Sequence, residues 1–207
     1  MRRSLRYRLL RRTKEVLKTI TELKGSSCGS ILDVGTADCM MLTLLQRNID
    51  MEEPVGMDLS VELLKENTNA SISLVQGDAL FLPFRGCWFD VVVGAALIEH
   101  VPDPVMMIAE FRRILKPGGI CIVTTPSPVF ESIANRVCHL QSDKHTRTYD
   151  LPELRDLFTA AGLNIVAAHR FMLSPIGLIP LEDRVEQVIR AMWLSFLLCN
   201  QIIVSRK

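Results

Sequence analysis

The chain has 207 residues, 48% of them apolar and 23% charged, with a formal net charge of +1. That length suits one domain with a sizeable core, and that balance excludes a disordered chain. A charge so near zero supplies no overall field for nucleic acid or a membrane. It is unevenly spread, however. Up to Lys24, nine Lys or Arg stand against Glu15 and Glu22, a local +7 that leaves about −6 on the remainder.

Taken in chain order, Arg2 to Leu23 predicts a basic helix, with Leu5, Leu9, Leu10, Val16, Leu17 and Ile20 near helical spacing. Gly25 to Gly29 ends it. Ile31 to Val34 is a first strand and Cys39 to Arg47 a helix. Pro54 to Asp58 is a second strand, followed by Ser60 as N-cap of a helix through Lys65. Ser71 to Gln76 and Trp88 to Gly94 are the third and fourth strands, the latter with the continuous Val91-Val92-Val93 run of a strand buried on both faces. Pro104 to Leu115 is a helix stopped by Lys116-Pro117-Gly118-Gly119, and Ile120 to Thr125 is the fifth strand. A polar stretch around Gln141 to Thr148 leads into a helix over Leu151 to Ala161. Asn164 to Phe171 and Gln201 to Ser205 are the last strands. The division expected is a basic helix over 1–24 and a domain over 25–207, with a helical insertion at about 173–198.

Strands alternating with helices require crossover connections, so the expected fold is a doubly wound α/β domain on a mainly parallel sheet. Ligands then bind beyond the carboxyl ends of the strands, here just after Val34, Met57, Gln76 and Val93. After the first strand comes Asp33-Val34-Gly35-Thr36-Ala37-Asp38-Cys39, where a glycine allows a sharp turn and a close backbone approach. Asp58 ends the second strand 23 residues after Gly35, suited to the two hydroxyls of a ribose. Gln76-Gly77-Asp78-Ala79 ends the third, with an acid able to accept from an exocyclic amine. Each feature alone also fits an ordinary turn or cap; together they point to a nucleoside-containing cofactor.

The ordered set LDVGTAD, GMDLS, VQGDALFLPF, FDVVVGAALIEHVPDP, RRILKPGGICIVTTP and LPELRDLFTAAGLNIV resembles the class I S-adenosylmethionine (SAM)-dependent methyltransferases from about Ile31 to Phe171. The likeness is to the group acting on small molecules and lipids (methyltransferase type 11-like). It implies a Rossmann-like seven-stranded sheet whose last strand is antiparallel, and SAM as cofactor. It also implies that Asp33, Gly35 and Thr36 face the methionine half, with Ala37 in the same loop. Asp58, with Leu59 beside it, would hold the ribose; Asp78 and Ala79 would meet the adenine, and Gly94 would lie under the cofactor. One departure stands out: where the family shows Gly-x-Gly-x-Gly, this chain has Gly35, Ala37 and Cys39.

Methyl transfer needs alignment and water exclusion, plus a base if the acceptor is a hydroxyl. His100, after the fourth strand, is the first candidate base, against the plainer reading that it caps or packs the following helix; Glu99 is read as orienting that loop. His145 and Tyr149 are further candidates, although a surface position is the simpler reading of each. Cys138, His139 and His145 lack tetrahedral spacing, so no metal is expected. Met40-Met41 and Met106-Met107 are read as core filler.

The six cysteines (Cys28, Cys39, Cys87, Cys121, Cys138, Cys199) show no Cys-x-x-Cys pair, which suits a reducing cytoplasm. The basic start lacks a signal-peptide core, and Ala191 to Val204 is too short and too interrupted to span a bilayer. The basic helix and the insertion have two readings, a lid over the acceptor or a peripheral membrane contact in which Arg2, Arg3, Arg6, Arg8, Arg11 and Arg12 and an apolar face around Trp193, Leu194, Phe196 and Leu197 meet anionic lipid. The lid is favoured for Leu181 to Leu198, and nucleic acid is not expected. The function expected is SAM-dependent methylation of a small-molecule or lipid-like acceptor. The competitors are a non-catalytic SAM-binding regulatory or scaffold protein and, on fold alone, a nicotinamide oxidoreductase.

Overall fold

The computed structural model describes residues 3–129, 147–175 and 182–207. Helix α1 (Arg3–Lys24) leads to β1 (Ser27–Val34), α2 (Met40–Gln46), β2 (Asp50–Asp58), the single turn α3 (Val61–Leu64), β3 (Ser73–Gln76) and β4 (Phe89–Ala95). There follow α4 (Pro104–Ile114), β5 (Leu115–Pro126), α5 (Leu151–Ala160), β6 (Asn164–Phe171), α6 (Glu182–Ala191), a short 3-10 turn (Ser195–Leu197) and β7 (Asn200–Arg206). The strands form one seven-stranded sheet in the order β3-β2-β1-β4-β5-β7-β6, parallel except for β7, which pairs antiparallel with both β5 and β6. The expected fold class is therefore the observed one.

Alternation along the strands builds two cores. Leu32, Val34, Val92, Cys121, Val123 and Ile203 face one side and pack with Met107 and Phe111 of α4 and Leu154 and Phe158 of α5. Ile31, Val91, Val93, Ile122, Ile202 and Val204 face the other, with Val16 and Ile20 of α1 and Leu42 and Leu45 of α2. Helix α1 is thus part of the fold: Val16 and Ile20 are fully buried.

Local chemistry sets the boundaries. Asp103 caps α4 by accepting from the Met106 amide ahead of Pro104, and Asp150 and Glu153 form a reciprocal capping box on α5. Two stretches read as loops are strand instead. β1 starts at Ser27, and Gly29 lies inside it because a Cβ there would stand 2.5 Å from the Asp90 carboxylate. That carboxylate accepts from the Ser30 amide at 2.9 Å and from Lys116 Nζ at 2.6 Å, stitching β1, β4 and β5 together. The Lys116-Pro117-Gly118-Gly119 segment, expected to be a turn, belongs to β5. Gly118 takes φ +76°, its amide donates to Lys207 O, and the β4–β5 register shifts between Phe89 and Val91. This is a bulged strand start rather than a connection. Met41 and Met107 lie in the cores as expected, but Met40 is exposed because it sits on the solvent side of α2.

Polar contacts fasten α1 to the β6–β7 connection. Arg11 Nη2 donates to Glu186 Oε1 at 2.7 Å in a buried pair, and the Tyr7 hydroxyl donates to Glu182. The same two carboxylates accept from the Leu173 and Ser174 amides, each at 2.9 Å. Glu15 pairs with His169 of β6 at 2.8 Å. Among the described residues no helix is long and apolar enough to cross a membrane, and Cys28, Cys39, Cys87, Cys121 and Cys199 are free thiols.

Candidate cofactor and acceptor site

At the end of β1 the chain turns over Gly35 at φ +74°, and the Gly35 and Thr36 amides donate to Met57 O at 2.8 and 3.1 Å. Asp33 is buried and accepts from the Thr36 hydroxyl at 2.9 Å. Burial pushes its carboxyl up to about 7; the Thr36 bond opposes that rise and the charge of Asp58 adds to it. Ala37 and Cys39 take φ of 52° and 58°, the left-handed conformation for which glycine is the usual residue. At both positions, then, the backbone holds a conformation that glycine takes without strain while the side chains present strain it. The thiol of Cys39 is fully buried against β2, where a Cβ on Gly56 would stand 2.6 Å from its sulfur.

Asp58 does more than stand at a strand end. Its Oδ2 accepts from the Ala37 amide and its Oδ1 from the Ser60 amide, each at 2.9 Å. It thereby ties the strained loop to β2, and each oxygen keeps a further lone pair. Ser60 caps α3 by accepting from the Leu63 amide, as expected. Asp78 is exposed and accepts from the Leu80 amide at 2.9 Å, while Ala79 is buried. Leu59 after β2 and Phe81 after β3 are both largely exposed. Two bare apolar side chains beside these acids suit the faces of a purine. The sequence reading did not single out Phe81; its signal was an aromatic three residues after Asp78. Gly94 is buried, and a Cβ there would meet the Phe111 ring at 3.1 Å, so core packing accounts for this glycine.

The other half of the strand-end edge follows β4 and β5. Glu99 is buried and accepts from the Thr125 hydroxyl at 2.9 Å, fixing the loop after β4 as expected. His100 is exposed, and its amide donates to Leu97 O; the cap of α4 is Asp103, not His100. Tyr149 departs from the surface position expected of it. It is buried in the α4–α5 core, its carbonyl accepts from Gln201 Nε2, and Arg147 lies over its ring at 5.1 Å. Burial raises its hydroxyl pKa, so the phenol holds its proton more firmly. His145, with the Cys138 and His139 considered beside it, lies outside the described residues; among those described, no cluster of His, Cys, Asp or Glu could hold a metal.

The cofactor half thus offers a close-approach turn, buried and half-buried carboxylates for cationic and hydroxyl groups, and apolar walls for a base. These donors and surfaces fit SAM. A family model described as a methyltransferase domain matches residues 1–168. The chain belongs to the SAM-dependent methyltransferase family. A demethylmenaquinone methyltransferase of Staphylococcus saprophyticus is 30% identical over 187 residues, 76% of this chain and 78% of that protein. The Staphylococcus carnosus protein of the same name is 39% identical over 129 residues, 57% of this chain. The chain spans about half (52%) of that relative's length. A Haloferax volcanii methyltransferase solved with the Trm112 methyltransferase activator shares the fold, with a TM-score of 0.71, 22% identity, and coverage of 94% of this chain and 87% of that one. SAM is the family's cofactor. The alternative of a non-catalytic SAM-binding scaffold gains no support from these relatives.

Proposed function

We propose that this chain methylates a ring carbon of a quinone-like, hydroxyaromatic lipid, using SAM. The observation that carries the reading is the similarity to demethylmenaquinone methyltransferase over 78% of that relative's length. In this reading Asp33, Gly35, Thr36 and Ala37 take the methionine half, Asp58 with Leu59 takes the ribose, and Asp78 and Ala79 take the adenine above the strand edge at Gly94. Bound SAM supplies a methyl already activated on its sulfonium. The protein's task is then to hold the ring in line, exclude water and remove a proton from a ring hydroxyl. His100 is the proposed base, because it is the one described histidine on the loop after β4.

A lipid acceptor is best met at a membrane, and we place that contact on the β6–β7 connection more than on the basic N-terminus. Tyr7 and Arg11 are already engaged with α6. Val188, Met192, Phe196 and Leu197 are exposed, and Trp193 is 91% exposed at φ +63°. Arg190 of α6, with Lys14 and Lys18 of α1, lines the neighbouring groove. An apolar patch beside basic side chains suits the boundary of an anionic bilayer. The chain would then work from the cytoplasmic face, with the connection covering the acceptor from where it leaves and re-enters the sheet at Phe171 and Asn200.

The decisive experiment is transfer of labelled methyl from SAM to a reduced demethylated naphthoquinone under anaerobic conditions, with product analysis for a new ring methyl. No transfer to it alongside turnover of an amine or sugar would overturn the acceptor class. Flotation with vesicles with and without anionic lipid tests the docking. Binding that needs anionic lipid and falls at least tenfold in Trp193→Ala is expected; no flotation with either vesicle rejects it.

A further inference from the structure

Four of the nine buried polar atoms without partners among the described residues lie toward the strand-end edge, outside the cofactor half. Thr124 Oγ1, Ser127 Oγ and Asn200 Oδ1 are enclosed with no hydrogen-bond partner. The sheet register puts them together: Asn200 pairs with Pro126, Thr124 pairs with Ile202, and the Ser127 amide donates to Cys199 O at 2.9 Å. Thr124 and Asn200 share the face of Ile122 and Ile202, the face covered by α1. On α1, Val16 and Ile20 point into that core, and Arg12 lies one turn before Val16 on the same side, toward the strand ends. Arg12 Nε is enclosed and partnerless as well.

Native proteins leave few buried polar groups unpaired, and each such group asks for an explanation. Of these four, the Thr124 and Ser127 hydroxyls and the Arg12 guanidinium can donate, and together they suit an electron-rich oxygen; Asn200 Oδ1 only accepts, and suits the guanidinium itself. We propose that Arg12, backed by the hydroxyls of Thr124 and Ser127 and oriented by Asn200, binds the ionised ring oxygen of the acceptor, so that the hydroxyaromatic ring is held as its oxyanion. This rests on the acceptor class proposed above and adds the residues that recognise it.

The chemistry is direct. An ionised ring oxygen pushes electron density onto the neighbouring ring carbon, which forms the new bond to the methyl as the sulfonium's carbon–sulfur bond breaks. The hydroxyl proton has by then left through His100 to solvent, and the proton on the methylated carbon follows the same route after transfer, as the ring regains aromaticity. A guanidinium in a water-poor site favours the ionised oxygen and aligns it. Burial also pushes the Arg12 pKa down to about 10, with the charge of Glu99 opposing that shift and that of Arg8 adding to it. Glu99 and Arg8 are thus the charged groups facing it. An incoming oxyanion gives this cation a closer counter-charge.

The test compares wild type with Arg12→Lys and Arg12→Gln, each first checked for cooperative melting and SAM affinity. Two readouts follow: turnover of the demethylated naphthoquinol across pH, and the absorbance of 2-naphthol bound in the presence of S-adenosylhomocysteine, which reports whether that phenol is ionised. Wild type is expected to bind 2-naphthol as naphtholate below its solution pKa. Arg12→Gln should lose that ionisation, weaken binding by roughly 10- to 100-fold, and move the acidic limb of kcat/KM to higher pH. Arg12→Lys should restore part of each effect, while SAM affinity stays within about threefold throughout. Unchanged 2-naphthol ionisation and pH profile in Arg12→Gln would overturn the proposal. Arg12-dependent naphtholate binding with no quinol turnover in wild type would uphold the oxyanion site and reject the quinone reading. A variant that fails to melt cooperatively is replaced by Asn200→Asp, whose added negative charge must weaken naphtholate binding if the site is correctly placed.

Discussion

The two halves of the strand-end edge are built in different ways. After β1 and β2 the site is made within one strand–helix–strand unit: Asp33 with Thr36, Asp58 with Ser60, and a turn whose Ala37 amide reaches Asp58 of the adjoining strand, 21 residues on. After β4 and β5 it is made by residues far apart in the chain. Thr125 reaches back to Glu99, Gln201 to Tyr149, and α1 is fastened to a helix more than 170 residues away. The cofactor half can therefore be shared across a large family while the acceptor half varies with each connection. A cofactor that never changes suits a locally encoded cradle, and an acceptor that changes suits a surface assembled from several elements.

The strongest way to break that contrast is Asp58→Ala. It leaves the Ala37 and Ser60 amides without their acceptor and removes the carboxylate assigned to the ribose, at about 1–3 kcal/mol for each lost partner. SAM affinity by titration calorimetry should fall by roughly 100-fold or more; a change below threefold would remove Asp58 from the cofactor half. Glu99→Gln is the counterpart on the other side. It keeps an acceptor for Thr125 but removes a buried charge that faces Arg12. Turnover should drop by about tenfold or more with SAM affinity nearly unchanged, and a parallel loss of SAM binding would show that the halves are not separable.

A third test uses pH. The folded pKa of Asp33, about 7, lies above its ordinary value near 3.8, so the folded chain holds a proton that the unfolded chain releases. The Asp33 contribution to stability is then greatest below pH 4, falls as pH rises toward 7 and levels off above it. The melting temperature should decline across that window, and Asp33→Asn should flatten the decline. A cationic ligand beside Asp33 should also release a proton on binding near pH 6.5, read as a dependence of binding heat on buffer ionisation enthalpy.

The smallest effect concerns the departure from the glycine pattern. Ala37→Gly relieves a left-handed alanine, worth about 1 kcal/mol and a rise in melting temperature of roughly 2–4 °C. Cys39→Gly relieves a similar strain but empties the buried volume that its sulfur fills against Gly56, so no net gain is expected. Equal stabilisation by both would mean that the sulfur contributes nothing to packing.

Legibility followed range. The helix and strand order, the caps at Ser60 and the Asp150–Glu153 box, and the acids at the ends of β1, β2 and β3 were readable because propensity, capping and turn chemistry act within a few residues. The Gly29 and Lys116 to Gly119 stretches misled for the opposite reason. Glycine reads as a break until a neighbouring strand, here with Asp90, requires the absent side chain. Tyr149 and Met40 were misplaced because burial depends on which element covers a residue.

By itself, then, the sequence determined the layered α/β architecture and the acids and turns at the ends of its first three strands, since periodicity, caps and turn residues act over a few residues. Only the tertiary structure decided that α1 belongs to the core, that Ala37 and Cys39 take left-handed backbone, and that Thr124, Ser127 and Asn200 lie together at the ends of β5 and β7 with unpartnered polar atoms. Such meetings depend on sheet register and helix packing, which bring together residues that no local pattern connects.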